Sequence, residues 1–152
     1  MQLVPLVTFR ASLRDGADMV GAGPIGQRSV HHVTGGTFEG ERLNGEVLPG
    51  GGDWILRTSD GTSRLDVRAG LKTDDGAVIY VRYGGVLKIG EAAMKKLGAG
   101  EDSDYGDSEF FTNPVFETGD ERYAWLNDVV AVAEGRLLSG GVEYRVFEAR
   151  ND

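Results

Sequence analysis

A carboxylate beside a large apolar ring can exchange protons near neutrality, because low polarity disfavours its charged form. This sequence offers two such candidates. Asp53 follows Gly50-Gly51-Gly52 and precedes Trp54. Asp66 stands two residues before Arg68. In a strand, positions i and i+2 leave the same face, so Asp66 and Arg68 are expected to project together as a charge-assisted pair. Either aspartate is suited to act as general acid or base, and Arg68 to steady a developing oxyanion. The structural alternatives are that Asp53 caps the glycine turn and that Asp66 and Arg68 form a structural ion pair.

The same alternation groups further residues. Tyr80 shares a face with Val78 and Arg82, and Tyr123, Trp125 and Asn127 share one if their stretch is extended. Tyr80 and Asn127 could donate hydrogen bonds to a ligand, Trp54 and Trp125 could form apolar walls, and Tyr123 could bind the ligand beside them. The site therefore requires a closed sheet that turns these faces toward one interior. Alternating strands also put such faces in solvent routinely.

Other motifs carry less. Gly21, Gly23 and Gly26 fit G-x-G-x-x-G. A dinucleotide site needs a helix directly afterwards, and β-branched residues follow instead, so this is a loop. His31 and His32 are the only histidines, and as strand neighbours they face opposite sides, so no shared metal is expected. A surface or satisfied core role is expected for them, the alternative being one of them as a general base with Asp66 or Glu39. With no cysteine a thiol nucleophile is excluded, and with no G-x-S-x-G covalent acyl chemistry is not expected.

The elements that must position these groups read as strands. Period-2 segments cover 3–12, 27–40, 53–59, 63–73, 77–89 and 142–149, with Asp60-Gly61 and Asp75-Gly76 as hairpin turns. Gly35 and Gly36 predict a bulge or bend. Residues 14–26 read as a loop and 101–109 as an acidic surface loop. Residues 40–52 read either as a strand or as a tight hairpin at Asn44-Gly45. The one convincing helix spans 91–100 and ends at Gly98. Residues 122–138 have helical propensity but precede Ser139-Gly140-Gly141 and a clear strand, which favours a closing hairpin. Spacing of about 8–12 residues between strands predicts an all-β antiparallel barrel or sandwich.

The 152 residues fit one domain, 1–152. A formal charge of −8 with scattered Lys and Arg argues against a nucleic-acid partner. No apolar run approaches the roughly 20 residues of a spanning helix, and the N-terminal segment lacks a basic start, so no membrane is expected and a cytoplasmic location is.

Three stretches together are specific: GGTFEGERLNGEVLPGGGDW, LDVRAGLKTDDGAVIYVRYGG and FETGDERYAWLN. They resemble domain-of-unknown-function family 3237, also called the UPF 0311 group, over about Phe9 to Phe147. The matching positions are Asp53, Trp54, Asp66, Arg68, Tyr80, Tyr123, Trp125 and Asn127. The resemblance implies a small calycin-like β-barrel with one short helix, found as a homo-oligomer such as a dimer, and implies no established activity. Residues and resemblance together predict a cofactor-independent acid–base enzyme. It would be an isomerase, cyclase or lyase acting on a small apolar or aromatic carbonyl or phenol compound. The alternatives are a non-catalytic small-molecule-binding barrel and a structural module.

Overall fold

The computed structural model describes residues 1–152. Eleven strands dominate: β1 (Gln2–Leu13), β2 (Asp18–Ala22), β3 (Gln27–Glu39), β4 (Gly45–Val47), β5 (Gly52–Arg57), β6 (Ser63–Thr73), β7 (Val78–Lys88), β8 (Glu109–Thr112), β9 (Val115–Glu117), β10 (Ala131–Leu138) and β11 (Gly141–Arg150). One α-helix, α1 (Glu91–Gly98), follows β7, and a 3₁₀ helix spans Glu121–Asp128. All pairings are antiparallel. The order β6-β5-β3-β1-β11-β10-β8-β7 closes on itself through the β6–β7 pairing, so the sheet forms a ring. The fold is the expected all-β, barrel-like one.

Short strands fill gaps in this ring. Between β3 and β6, β5 occupies one end and β4 the other. Beside β7, β8 and β9 divide the edge in the same way, split at Asn113-Pro114. The ambiguous 40–52 stretch thus resolves as a short strand. Gly45 is obligatory there, because a Cβ would lie 2.0 Å from the Lys72 carbonyl oxygen and 2.8 Å from the Phe38 ring. Gly45→Ala is expected to cost about 1–3 kcal/mol through overpacking, read as a lower urea midpoint with unchanged m.

Gly35 and Gly36 make the expected irregularity: the β1–β3 register slips between Ser12 and Leu13, opposite Gly35 and Val33. Both glycines have positive φ, 154° and 139°. At Gly36 a Cβ would meet the Arg10 carbonyl at 2.0 Å, so the strand bends where only glycine fits. The turns at Asp60-Gly61 and Asp75-Gly76 form as read, with Gly61 and Gly76 at positive φ. The 14–26 segment corrects its loop reading, since β2 pairs with β3 there as a two-stranded extension.

One end of the ring is packed solid. Phe9, Phe38 and Phe116 cluster with centroids 5.8–6.2 Å apart, and Leu43 and Leu126 are fully buried. The 3₁₀ helix carries Leu126 into this end. Beside it the Arg42 guanidinium lies 4.0 Å from the Trp125 ring and bonds Glu148 at 2.7 Å. The interior toward the opposite end is not filled.

Candidate functional site

The unfilled end holds a cavity of about 380 Å³ lined by 20 residues, 14 of them hydrophobic. Strand alternation builds its walls. On β3, Gln27, Ser29, His31 and Val33 face inward; on β5, Asp53, Ile55 and Arg57 do. Register then aligns them into rows. The deep row runs His31, Asp53, Val67, Tyr83 across β3, β5, β6 and β7. The row at the mouth runs Gln27, Arg57, Ser63, Leu87 across the same strands. The facing wall is apolar, with Ala11, Phe110, Leu137 and Val142, apart from Tyr144.

Asp53 is the only carboxylate in the lining. Burial pushes its pKa from 3.8 up to about 6; a hydrogen bond from the Asp66 backbone opposes this, and the Asp66 charge adds to it. That hydrogen bond, Asp66 N–H to Asp53 Oδ1 at 3.0 Å, has a structural origin. The β5–β6 pairing runs through Asp53 and Val67 and resumes only at Leu56 and Arg64. The Asp53 carboxylate takes up an amide in the interval. Burial also pushes the phenols of Tyr83 and Tyr144 upward, and the Asp53 charge raises both further. Their rings meet edge to face with centroids 5.1 Å apart. Both are therefore neutral hydroxyl groups at working pH. His31 is held down by burial first and by the His32 charge second, which favours neutral imidazole. Its Nε2 lies 3.3 Å from Ser29 Oγ.

The residues selected from sequence do not share this interior. Asp53 faces it. Asp66 and Arg68 sit on the outer, exposed face of β6, and no ion pair joins them. Trp54, 41% exposed, and Tyr80, 36% exposed, also point outward. The reason is parity: along β5 and β6 the inward set is Asp53, Ile55, Arg57 and Leu65, Val67, so the alternate residues must face out. Tyr123, Trp125 and Asn127 fall in the 3₁₀ helix, not a strand, so they do not share one face. Tyr123 donates its hydroxyl to Asp75 Oδ1 at 2.9 Å. Asn127 accepts from the Thr118 amide at 2.8 Å and donates to its carbonyl at 3.0 Å, fixing the closed end. The closing hairpin itself forms from β10 and β11, after this helix.

The inward polar residues not assigned to a site from sequence are Tyr83, Tyr144, Gln27, Arg57 and Ser63, together with His31, for which the sequence predicts a surface or core role. The signal for Tyr83 was present, since it alternates with Ile79 and Val81 on the apolar face of β7, the face that turns inward. His31 and His32 separate as strand neighbours should: His32 Nε2 meets Asp18 at 2.6 Å, outside the cavity.

Fold and site together define a β-barrel-like protein with one packed end and one end opening on an apolar chamber that holds a single half-buried carboxyl. The chain matches, over residues 1–149, the family described as protein of unknown function (DUF3237), and it belongs to that family. A UPF0311 protein of Rhodopseudomonas palustris is 37% identical over 111 residues, 72% of each chain. A β-barrel-like protein from Acinetobacter baumannii, known from its crystal structure, superposes with a TM-score of 0.85 at 36% identity, over 98% of this chain and 96% of that one. A hydroalkoxylation enzyme of Penicillium herquei is 28% identical over 104 residues, 68% of this chain and 54% of its own length. No helix is long and apolar enough to cross a membrane.

Proposed function

We propose that this chain is a cofactor-independent acid–base enzyme acting on a small, largely apolar molecule that carries a carbonyl or phenol and enters the open end of the barrel. The observation that carries this reading is the placement of Asp53: one carboxyl, on the wall of an apolar chamber that two neutral phenols also line. Asp66 and Arg68 have no part in the reaction on this reading. Asp66 contributes through its backbone amide, which restrains the Asp53 carboxyl.

The hydroalkoxylation named for the Penicillium herquei relative supports one reaction type, addition of an O–H across a C=C bond. The atoms balance within the substrate. Protonated Asp53 gives its proton to one alkene carbon, the substrate hydroxyl oxygen bonds to the other, and the hydroxyl proton returns to the Asp53 carboxylate. The product is an isomer, so no oxidant or group donor is consumed. Tyr83 and Tyr144 supply donors for the substrate's carbonyl or phenolic oxygen. The apolar lining keeps water from competing for the cation-like carbon.

A carrier barrel is the second reading, favoured by the largely hydrophobic lining. Incubation with a panel of alkenyl phenols, followed by chromatography of mass-neutral products, separates the two. The enzyme reading expects isomeric cyclised ether from the wild type and none from Asp53→Asn. Equal turnover by both proteins overturns the role of Asp53. Saturable binding without turnover supports the carrier.

A further inference from the structure

The polar groups of the cavity are not gathered at one point. They fall on two rows, four residues apart along β5, or about 13 Å at about 3.3 Å per residue. The deep row holds Asp53 and His31. The mouth row holds Gln27, Arg57 and Ser63, adjacent on β3, β5 and β6 by register. Between them Ile55 and Leu65 make a mostly apolar interval, with Ser29 opposite Ile55 its one polar side chain.

Arg57 is the only cationic side chain of fixed charge in the lining. In a chain of net charge −8 with 24 acidic residues, it has neither an ion pair nor a side-chain hydrogen bond. The nearby acids are already engaged. Asp60, in the turn after β5, accepts from the Thr58 hydroxyl and the Thr62 amide. Asp18, on β2, is held by Arg14 and His32. Arg28, on the outer side, donates to the Trp54 carbonyl. Arg57 and Gln27 also border a shallow outer cleft, so the rim stays open around them.

We infer that Gln27, Arg57 and Ser63 form an anion-reading subsite at the cavity mouth, and that the ligand is an elongated, mostly apolar molecule with a carboxylate or sulfonate-like group about 13 Å from the part that meets Asp53. Guanidinium, amide and hydroxyl donors on one row suit the several acceptor oxygens of a carboxylate or sulfonate, and a charge-assisted bond at a half-apolar rim is stronger than one in open water. Insertion is then directional: the apolar end goes in and the anion remains at the rim. The direction rests on Asp53 being the reacting group; the subsite itself does not.

Two fluorescent probes with a common aromatic body test this on the full chain: anilinonaphthalene sulfonate, which carries the anion, and phenylnaphthylamine, which does not. Arg57→Gln is expected to weaken sulfonate binding about tenfold, as the loss of one charge-assisted contact. The neutral probe should shift less than twofold. Arg57→Lys should keep most of the sulfonate affinity, and added salt should weaken only the sulfonate probe. Unchanged sulfonate affinity in Arg57→Gln overturns the subsite, as does an equal loss for both probes or a failure of either to bind saturably. If Arg57→Gln loses sulfonate selectively while Asp53→Asn still turns over, the subsite stands and the reaction falls. If Asp53→Asn is dead and Arg57→Gln binds as the parent does, the reverse holds.

Discussion

Asp53→Asn is expected to lose turnover by about 10²- to 10⁴-fold, the range of a positioned general acid, and yet to melt at a higher temperature than the parent at pH 7.5. Both effects come from one cause. The carboxyl titrates at about 6 in the folded chain against 3.8 when solvated, because burial disfavours its charge. Between those values the native state binds more protons than the unfolded one, so this group's contribution falls as pH rises through that window. Below pH about 4 the penalty is absent; above about 6 it is complete, on the order of 3 kcal/mol for a shift of about two pKa units. Asparagine keeps an oxygen for the Asp66 amide and carries no charge. The variant should gain several degrees at pH 7.5 and nothing at pH 4, by calorimetry at both. An equal melting temperature at pH 7.5 contradicts the buried-charge account, whatever the activity.

The opposite sign is expected at Glu143, which the catalytic reading does not use. It is 8% exposed, although on the outer side of β11. Arg10 gives it two hydrogen bonds, 2.9 and 2.6 Å, Arg136 one of 2.8 Å, and the Tyr105 hydroxyl one of 2.9 Å. Burial alone would raise its pKa, but the bonds from Arg136, Arg10 and Tyr105 hold it at about 2. These contacts tie the 101–109 loop to the ring, with Tyr105 also stacked 3.7 Å from the Arg145 guanidinium. Glu143→Ala removes the shared acceptor and leaves Arg136 half-buried and unpaired. The expected cost at pH 7 is about 3–5 kcal/mol, read as a lower urea midpoint. A depressed folded pKa means this stability is complete above pH about 4.5 and lost toward pH 2. The gap between parent and variant should therefore shrink at pH 2.5. A gap that persists undiminished would show that packing, not charge, is what Glu143 supplies.

The two aspartates show how far the sequence was legible. Strand positions, the Asp-Gly turns, the glycine bend at Gly35-Gly36 and helix α1 follow from local pattern, because turn chemistry and period-2 alternation are local. Asp53 faces the chamber, but the ring read beside it, Trp54, points outward, and the apolar groups around the carboxyl come from other strands. Its expected partners were assigned to the wrong side. Alternation divides a strand into two faces but does not say which is inside. Trp54, Tyr80 and Arg68 put rings and charge on the outward faces, while the inward faces of β6 and β7 have the composition of ordinary core. His31 meets Asp53 only through β3–β5 register, which is long-range. The Tyr123–Asn127 stretch failed differently: its spacing suits a strand, but the Asp120 carboxylate accepts from the Arg122 amide and starts a 3₁₀ turn. The family resemblance at Trp125 and Asn127 therefore marks the closed end of the barrel.

The carboxyl titration of Asp53 tests the account most directly. Carbon-13 carboxyl NMR of the wild type, with the Asp53 signal assigned by its absence in Asp53→Asn, should show a midpoint near pH 6. A midpoint near 4 would place the carboxylate in ordinary solvent and remove the poised acid on which the proposed chemistry depends.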